Sequence, residues 1–425
     1  MNRLLLITAI AAVCLSACSQ NRFTPAASNG AAANGITAND LHATSAQYKL
    51  LHAFKGTPDG ASPLAGLVVF KGKLYGTTLN GSQNYCSASC GGNHCYLGCG
   101  TVFSITDAGK ERIVYNFKGD FNNAGDGAWP YATLIALNGT FYGTTGGGGT
   151  AFDGSVFSAT KSGKEKVLYS FTGGNDGSDP EANLINVKGT LYGTTVYGGS
   201  TNCNGSGCGT VYKITTAGKE GVLYAFTGGN DGYRVFAPLT YWKGNFYGAT
   251  LQGGGTGCGG DGCGTIFEMS LSGKETVIYR FAGTPAGAFP NGLTAVKGVL
   301  YGTTEGGGAE NSGTFFSITP KGAFTALYSF LDIPDGNLPG ATLLYANGEF
   351  YGTTVGGGTS GNGTVFQINS AGGESVLYSF LGGSDGADPQ APVIEKGRTL
   401  YSTTYKGGGA GCGGYGCGTV FSVTP

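Results

Sequence analysis

The residues of this 425-residue chain best suited to chemistry are twelve cysteines, three histidines and a recurring set of Asp-Gly pairs. None of the histidines is placed for nucleophilic catalysis: His42 lies in a low-complexity segment, His52 in an apolar strand-like run and His94 in a cysteine-rich loop. Ten cysteines fall in loops of similar type. Cys203 and Cys208, Cys258 and Cys263, and Cys412 and Cys417 each bracket four turn residues, while Cys86, Cys90, Cys95 and Cys99 share one enlarged loop. An even count in an exported chain predicts five disulfides. Four cysteines with nearby His94 offer a tetrahedral zinc site as the alternative, but the sister loops hold isolated pairs that cannot make one alone. The partner of Cys99 stays open at this point.

Asp59, Asp126, Asp176, Asp231, Asp335 and Asp385 recur before glycine, with Ala286 at the seventh position. One aspartate per loop is far short of a calcium shell, so the spacing predicts turns in which Asp accepts from local amides. Asp179 and Asp388 add a second carboxylate in two loops only. The Gly-Lys-Glu strings at Gly109, Gly163, Gly218 and Gly273 read as solvated hairpin tips. Glycine clusters lead into strands rather than helices, which excludes a phosphate-binding loop. No metal and no cofactor are expected.

These residues sit on a tandem repeat. The string YGTT or a close variant starts at Tyr75, Tyr142, Tyr192, Tyr247, Tyr301, Tyr351 and Tyr401, and a GTVF-like string follows each, from Gly100 to Gly418. In the second repeat, alternation and turn residues give strand A (133–137), an Asn138-Gly139 turn, strand B (140–145), strand C (155–159) and strand D (166–171). Val167, Tyr169 and Phe171 then share one face, predicted to pack on a neighbouring repeat. Seven four-stranded units predict an all-β, seven-bladed β-propeller of antiparallel blades. The last repeat stops after its third strand, and a spare strand D, Leu50 to Phe54, precedes the first, with His52 in the tyrosine slot. That N-terminal strand is expected to complete the last blade and close the ring, removing two exposed edges.

The LYGTT, glycine cluster, GTVF and LYSF strings, followed by GG-x-DG-x-x-P, resemble the GloVer tandem repeat of choice-of-anchor bacterial surface proteins over nearly all of residues 48–425. The resemblance implies a repeat body held by different anchors in different members, and no particular activity. Kelch propellers are similar more weakly, since Tyr or Phe stands at their tryptophan position.

Residues 1–17 read as an export signal whose apolar run, Leu4 to Ala12, is too short to span a bilayer. Leu15-Ser16-Ala17-Cys18 resembles a lipobox, which implies lipidation at Cys18. Residues 18–47 form a polar tether and residues 48–425 the propeller. The expected location is the outer membrane, facing the periplasm or the surface, with the lipid as the membrane contact and the body a monomer. Net charge is −1, without a basic run, which argues against nucleic acid.

Strand alternation puts the long D–A and B–C loops on one face and the short turns on the other. Seven-fold repeated residues answer a shared structural need, so an asymmetric ligand is read by residues that occur once. Tyr85, Tyr96, Trp129, Tyr233 and Arg234 are the candidates for binding glycan or protein. A binding or scaffolding module is favoured over an enzyme, the alternatives being a carbohydrate-active lyase or hydrolase and a purely structural surface protein.

Overall fold

The computed structural model describes residues 46–84, 86, 98–119 and 125–425. The expected signal and Cys18, almost all of the expected tether, and Tyr85, Cys90, His94, Cys95 and Tyr96 lie outside the described residues. Among those described there is no α-helix and none long and apolar enough to cross a membrane.

Seven antiparallel sheets form in chain order, each with four strands A to D; blades five and six add a short strand, Ala288–Pro290 and Gly336–Pro339. Blade two shows the pattern: Ile135–Leu137, Thr140–Thr145, Ser155–Thr160 and Glu165–Ser170 pair in sequence. The A strands of successive blades touch, so they lie nearest the axis and the D strands outermost. Blade seven is completed by the N-terminal strand Gln47–Ala53, which pairs antiparallel with Thr419–Thr424. His52 lies opposite Val420 as Tyr169 lies opposite Val156, which confirms the tyrosine slot. The chain is a closed seven-bladed β-propeller.

Apolar residues gather into seven clusters, each drawn from two adjacent blades. The core is thus a ring of seams. In the seam between blades two and three, Phe171 meets Tyr212 edge-on at 5.0 Å, and Leu168 and Tyr169 flank it. The expected stripe placed Val167 there. Each D strand instead carries a bulge, as between Val156 and Phe157, and the extra residue shifts the alternation so that Leu168 takes the seam.

The threonines of the YGTT strings are structural. In all seven blades the second one meets a strand C hydroxyl, as Thr195 meets Thr210 at 2.9 Å and Thr404 meets Thr419 at 2.8 Å. The first one reaches across a seam: Thr194 Oγ1 donates to Val235 O at 2.9 Å, and Thr403 Oγ1 to Pro63 O at 3.0 Å across the closing seam.

The glycine of the same string leaves room for a neighbour. A Cβ on Gly143 would sit 2.8 Å from Phe157 Cζ and 2.9 Å from Leu134 Cδ2. Blade seven has Ser402 here, fully buried, and Val393 in the place of that leucine. The shorter valine frees the space that the serine fills, and Ser402 Oγ donates to the carbonyls of Ala391 and Pro392.

Four disulfides join Cys86 to Cys99, Cys203 to Cys208, Cys258 to Cys263 and Cys412 to Cys417. Of the ten expected half-cystines, Cys90 and Cys95 lie outside the described residues. Disulfides of this number fit an oxidising, exported environment.

Candidate functional site

Two sets of equivalent positions recur around the ring, and they differ in character. The first lies on the outer seams. Five of the six Asp-Gly aspartates accept from the tyrosine hydroxyl of their own strand D, as Tyr169 to Asp176 and Tyr224 to Asp231, both at 2.9 Å, and from a backbone amide, while Asp59 meets His52 instead. This is the turn role expected of these residues. The Gly-Lys-Glu glutamates are not solvated tips, however. Gly and Lys occupy the turn, but Glu starts strand D and is half-buried near the aspartate of the preceding blade. Burial and then the facing Asp126, Asp176 or Asp231 push Glu165, Glu220 and Glu275 up to about 7, and burial with Asp335 pushes Glu374 to about 8. Where Ala286 replaces the aspartate, Phe324 replaces the glutamate and stacks on Tyr279 at 4.2 Å. At the seam before the closing strand, Tyr48 takes the glutamate's place and stacks on Tyr378 at 4.0 Å. These substitutions preserve the seam, and they mark this set as structural.

The second set lies where the D–A loops cross to the inner strands. Ser62, Trp129, Asp179, Arg234, Phe289, Leu338 and Asp388 occupy one equivalent position in the seven loops, and every one has φ between 52° and 61°. A side chain in left-handed backbone costs about 1–2 kcal/mol, and glycine or asparagine is the usual answer. None of the seven is either. The conformation is imposed by stitching across a seam. The amide of each residue donates to the preceding blade, as Ser62 to Cys417 O, Trp129 to Cys99 O, Arg234 to Cys208 O and Phe289 to Cys263 O. Its carbonyl accepts from the following blade, as Trp129 O from Gly146 and Arg234 O from Leu251. The next residue, Pro or Val, is buried in every loop. Four of the seven stitches thus end on the second cysteine of a disulfide, which gives those bridges a specific task.

With the backbone held this way, the side chains are the variable part. Trp129 lies over Gly147, where a Cβ would come 2.4 Å from its ring. Tyr131 and Glu181, two residues further along their loops, both border Gly146. Arg234 stands 5.6 Å above the Tyr197 ring, and Lys406 pairs with Asp388 at 2.7 Å. Burial, reinforced by Asp153, raises Asp179 to about 7; burial, reinforced by Asp179, holds Glu181 well above the carboxylate range; burial alone raises Glu305 to about 7. The Tyr131 hydroxyl is raised by burial, then by Glu181, Asp179 and Tyr405, so groups from blades two, three and seven share one environment. The rim offers aromatic faces, a guanidinium and desolvated carboxyls.

Of the residues singled out in sequence, Trp129 and Arg234 occupy equivalent rim positions in blades two and four. Trp129 also packs partly on the seam core beneath it. Tyr233 turns toward Asp261 of the adjacent loop, whose charge acts on its hydroxyl. Sequence reasoning missed Tyr131, Glu181, Tyr197 and Glu305. For Tyr131 and Glu181 the signal was available: the residue two places after the left-handed position differs in every blade, as Leu64, Tyr131, Glu181, Phe236, Asn291, Gly340 and Gln390.

The Gloeobacter/Verrucomicrobia repeat matches residues 15–260, 197–345 and 257–425. The chain belongs to the Gloeobacter/Verrucomicrobia repeat family. In this repeat family member the rim is therefore built on a family scaffold with residues that the repeat itself does not dictate. No curated protein matches the chain. Among solved structures, the WD40 β-propeller domain of Doa1 is similar with a TM-score of 0.51 at 11% identity, over 88% of this chain and 96% of that one. The computationally designed Ika8 protein gives 0.48 at 13% identity, over 88% and 99%. The likeness to Doa1 shows the fold alone.

Proposed function

We propose that this protein is a lipid-anchored envelope protein that binds glycan through the inner rim of its long-loop face. The observation that carries the reading is the ring of seven left-handed positions bearing Ser, Trp, Asp, Arg, Phe, Leu and Asp. A fold with only a turn to make would use glycine there, and it would use the same residue seven times. Aromatic faces beside carboxyls and a guanidinium are the chemistry that stacks on sugar rings and bonds their hydroxyls. The proposed anchor is Cys18, with residues 18–47 as tether and the outer membrane as location. Tyr85 and Tyr96 remain proposed contacts, together with Trp129, Tyr233 and Arg234.

Titration with envelope polysaccharides and their oligosaccharides, read by calorimetry, tests the proposal. The native chain binds, and a variant with Trp129→Ala, Glu181→Gln and Arg234→Ala keeps its unfolding midpoint but loses at least tenfold in affinity. Undiminished binding by that variant removes the rim from the reading. A native chain that binds no glycan favours the structural surface protein, and turnover of the bound glycan favours the hydrolase or lyase, with Asp179 or Glu305 as the first candidates for general acid.

A further inference from the structure

The seam between blades seven and one differs from the other carboxylate seams in a single residue type. Elsewhere a tyrosine hydroxyl stands beside the aspartate and glutamate. Here His52, in the tyrosine slot of the closing strand, stands beside Asp59 and Glu111. His52 Nε2 is 3.1 Å from Asp59 Oδ2, and one donor atom from each of the three residues lies within 4.8 Å of the other two. The Lys55 amide holds Asp59 Oδ2 in place at 3.0 Å. Glu111 Oε1 is buried and accepts no hydrogen bond among the described residues.

The exchange of phenol for imidazole changes what the seam can hold. A neutral phenol is a poor ligand near pH 7, whereas an imidazole nitrogen is a good one. One imidazole nitrogen and two carboxylate oxygens make a mixed set suited to zinc and its first-row neighbours, with the remaining positions open to water. His52 and Asp59 keep side-chain exposures of 17% and 20%, so an ion has a way in.

We propose that His52, Asp59 and Glu111 bind a divalent transition-metal ion of the zinc class at the outer edge of this seam. The three ligands come from the closing strand, the first D–A loop and strand D of blade one. An ion held there fixes the closing strand against blade one, in position to receive Thr419–Thr424. It is a clasp away from the inner rim, independent of the glycan reading, and it departs from the sequence-based expectation that no metal binds. Sequence inspection found His52 only as a replacement for tyrosine, since Glu111 belongs to the next repeat.

The test uses the full chain with its thiols verified as oxidised, stripped with chelator and titrated with zinc. Wild type retains one equivalent through gel filtration, and its unfolding midpoint rises on adding zinc. His52→Tyr rebuilds the sister seam, so it folds normally, yet it retains no zinc and shows no rise; Glu111→Gln behaves likewise. Zinc retained equally by His52→Tyr, or none retained by wild type, overturns the proposal.

Discussion

Four seams place a half-buried glutamate against an aspartate with a tyrosine beside them, and their proton inventory predicts how stability varies with pH. Glu165, Glu220 and Glu275 titrate at about 7 and Glu374 at about 8 in the folded ring, against about 4.3 in an unfolded chain. The folded state therefore binds more protons than the unfolded state between these limits. Stability contributed this way is fully present below the unfolded value and is lost as pH rises through the folded one. A tenfold difference in proton affinity corresponds to about 1.4 kcal/mol, but partial exposure screens these groups, and about 1 kcal/mol per seam is the reasonable magnitude. The four together amount to about 4 kcal/mol lost between roughly pH 4.5 and 8. Urea midpoints across that range read the effect directly. A variant with glutamine at 165, 220, 275 and 374, each isosteric with protonated glutamate, removes these groups from the titration and has a shallower slope than wild type. Because Asp179, Glu181 and Glu305 titrate in both proteins, the difference between the slopes isolates the seams. Equal slopes, or a seam contribution that grows toward pH 8, refute the reasoning.

Three further outcomes follow from packing. Gly143→Ser forces a side chain against Phe157 and Leu134 and costs about 1–3 kcal/mol; adding Leu134→Val reproduces the blade-seven pairing, so the double variant is more stable than Gly143→Ser alone, and strictly additive losses in chemical denaturation would sink that account. Deleting residues 48–54 removes the last strand of blade seven together with Leu51 and Phe54 of the closing core, and it lowers the thermal midpoint far more than deleting the tether; an unchanged midpoint excludes closure by this strand. Replacing Cys203 and Cys208 by serine costs at most about 2 kcal/mol in the chain-entropy model, since the bridged loop is short. It frees the carbonyl that holds Arg234, so glycan dissociation should quicken more than the fold weakens, as kinetic and unfolding measurements on one sample would reveal.

The repeat, the strand order and the closing strand are legible because each depends on local alternation and turn residues, although strand A of blade two begins at Ile135 rather than at 133 and strand D spans Glu165–Ser170 rather than 166–171. Strand B of blade two was placed at its observed limits, 140–145. The strand D bulge was not readable: an extra residue leaves the same apolar string, and only the partner strand decides whether Val167 or Leu168 faces the seam. Glu165 looked like a hairpin residue because its aspartate, Asp126, belongs to the preceding repeat. The left-handed ring stayed hidden for a related reason. Serine, tryptophan or arginine before proline or valine gives no hint of positive φ when the constraint comes from hydrogen bonds to two other blades. Trp129 and Arg234 stand out as singular residues in the sequence, whereas the burial of Glu181 and Glu305 depends on contacts that the sequence does not display.

The stitched positions also bear on how such a protein can diversify. The backbone conformation at each is enforced by an amide and a carbonyl that belong to every residue except proline, so the position accepts side chains of many kinds as long as their β-carbon is unbranched. Exchanging Leu338 or Phe289 for another residue then alters the surface the rim presents while leaving the seams as they were. A lineage that duplicates blades inherits one such position with each copy, already rigid, and the surface of the ring becomes variable through single substitutions that cost the fold little.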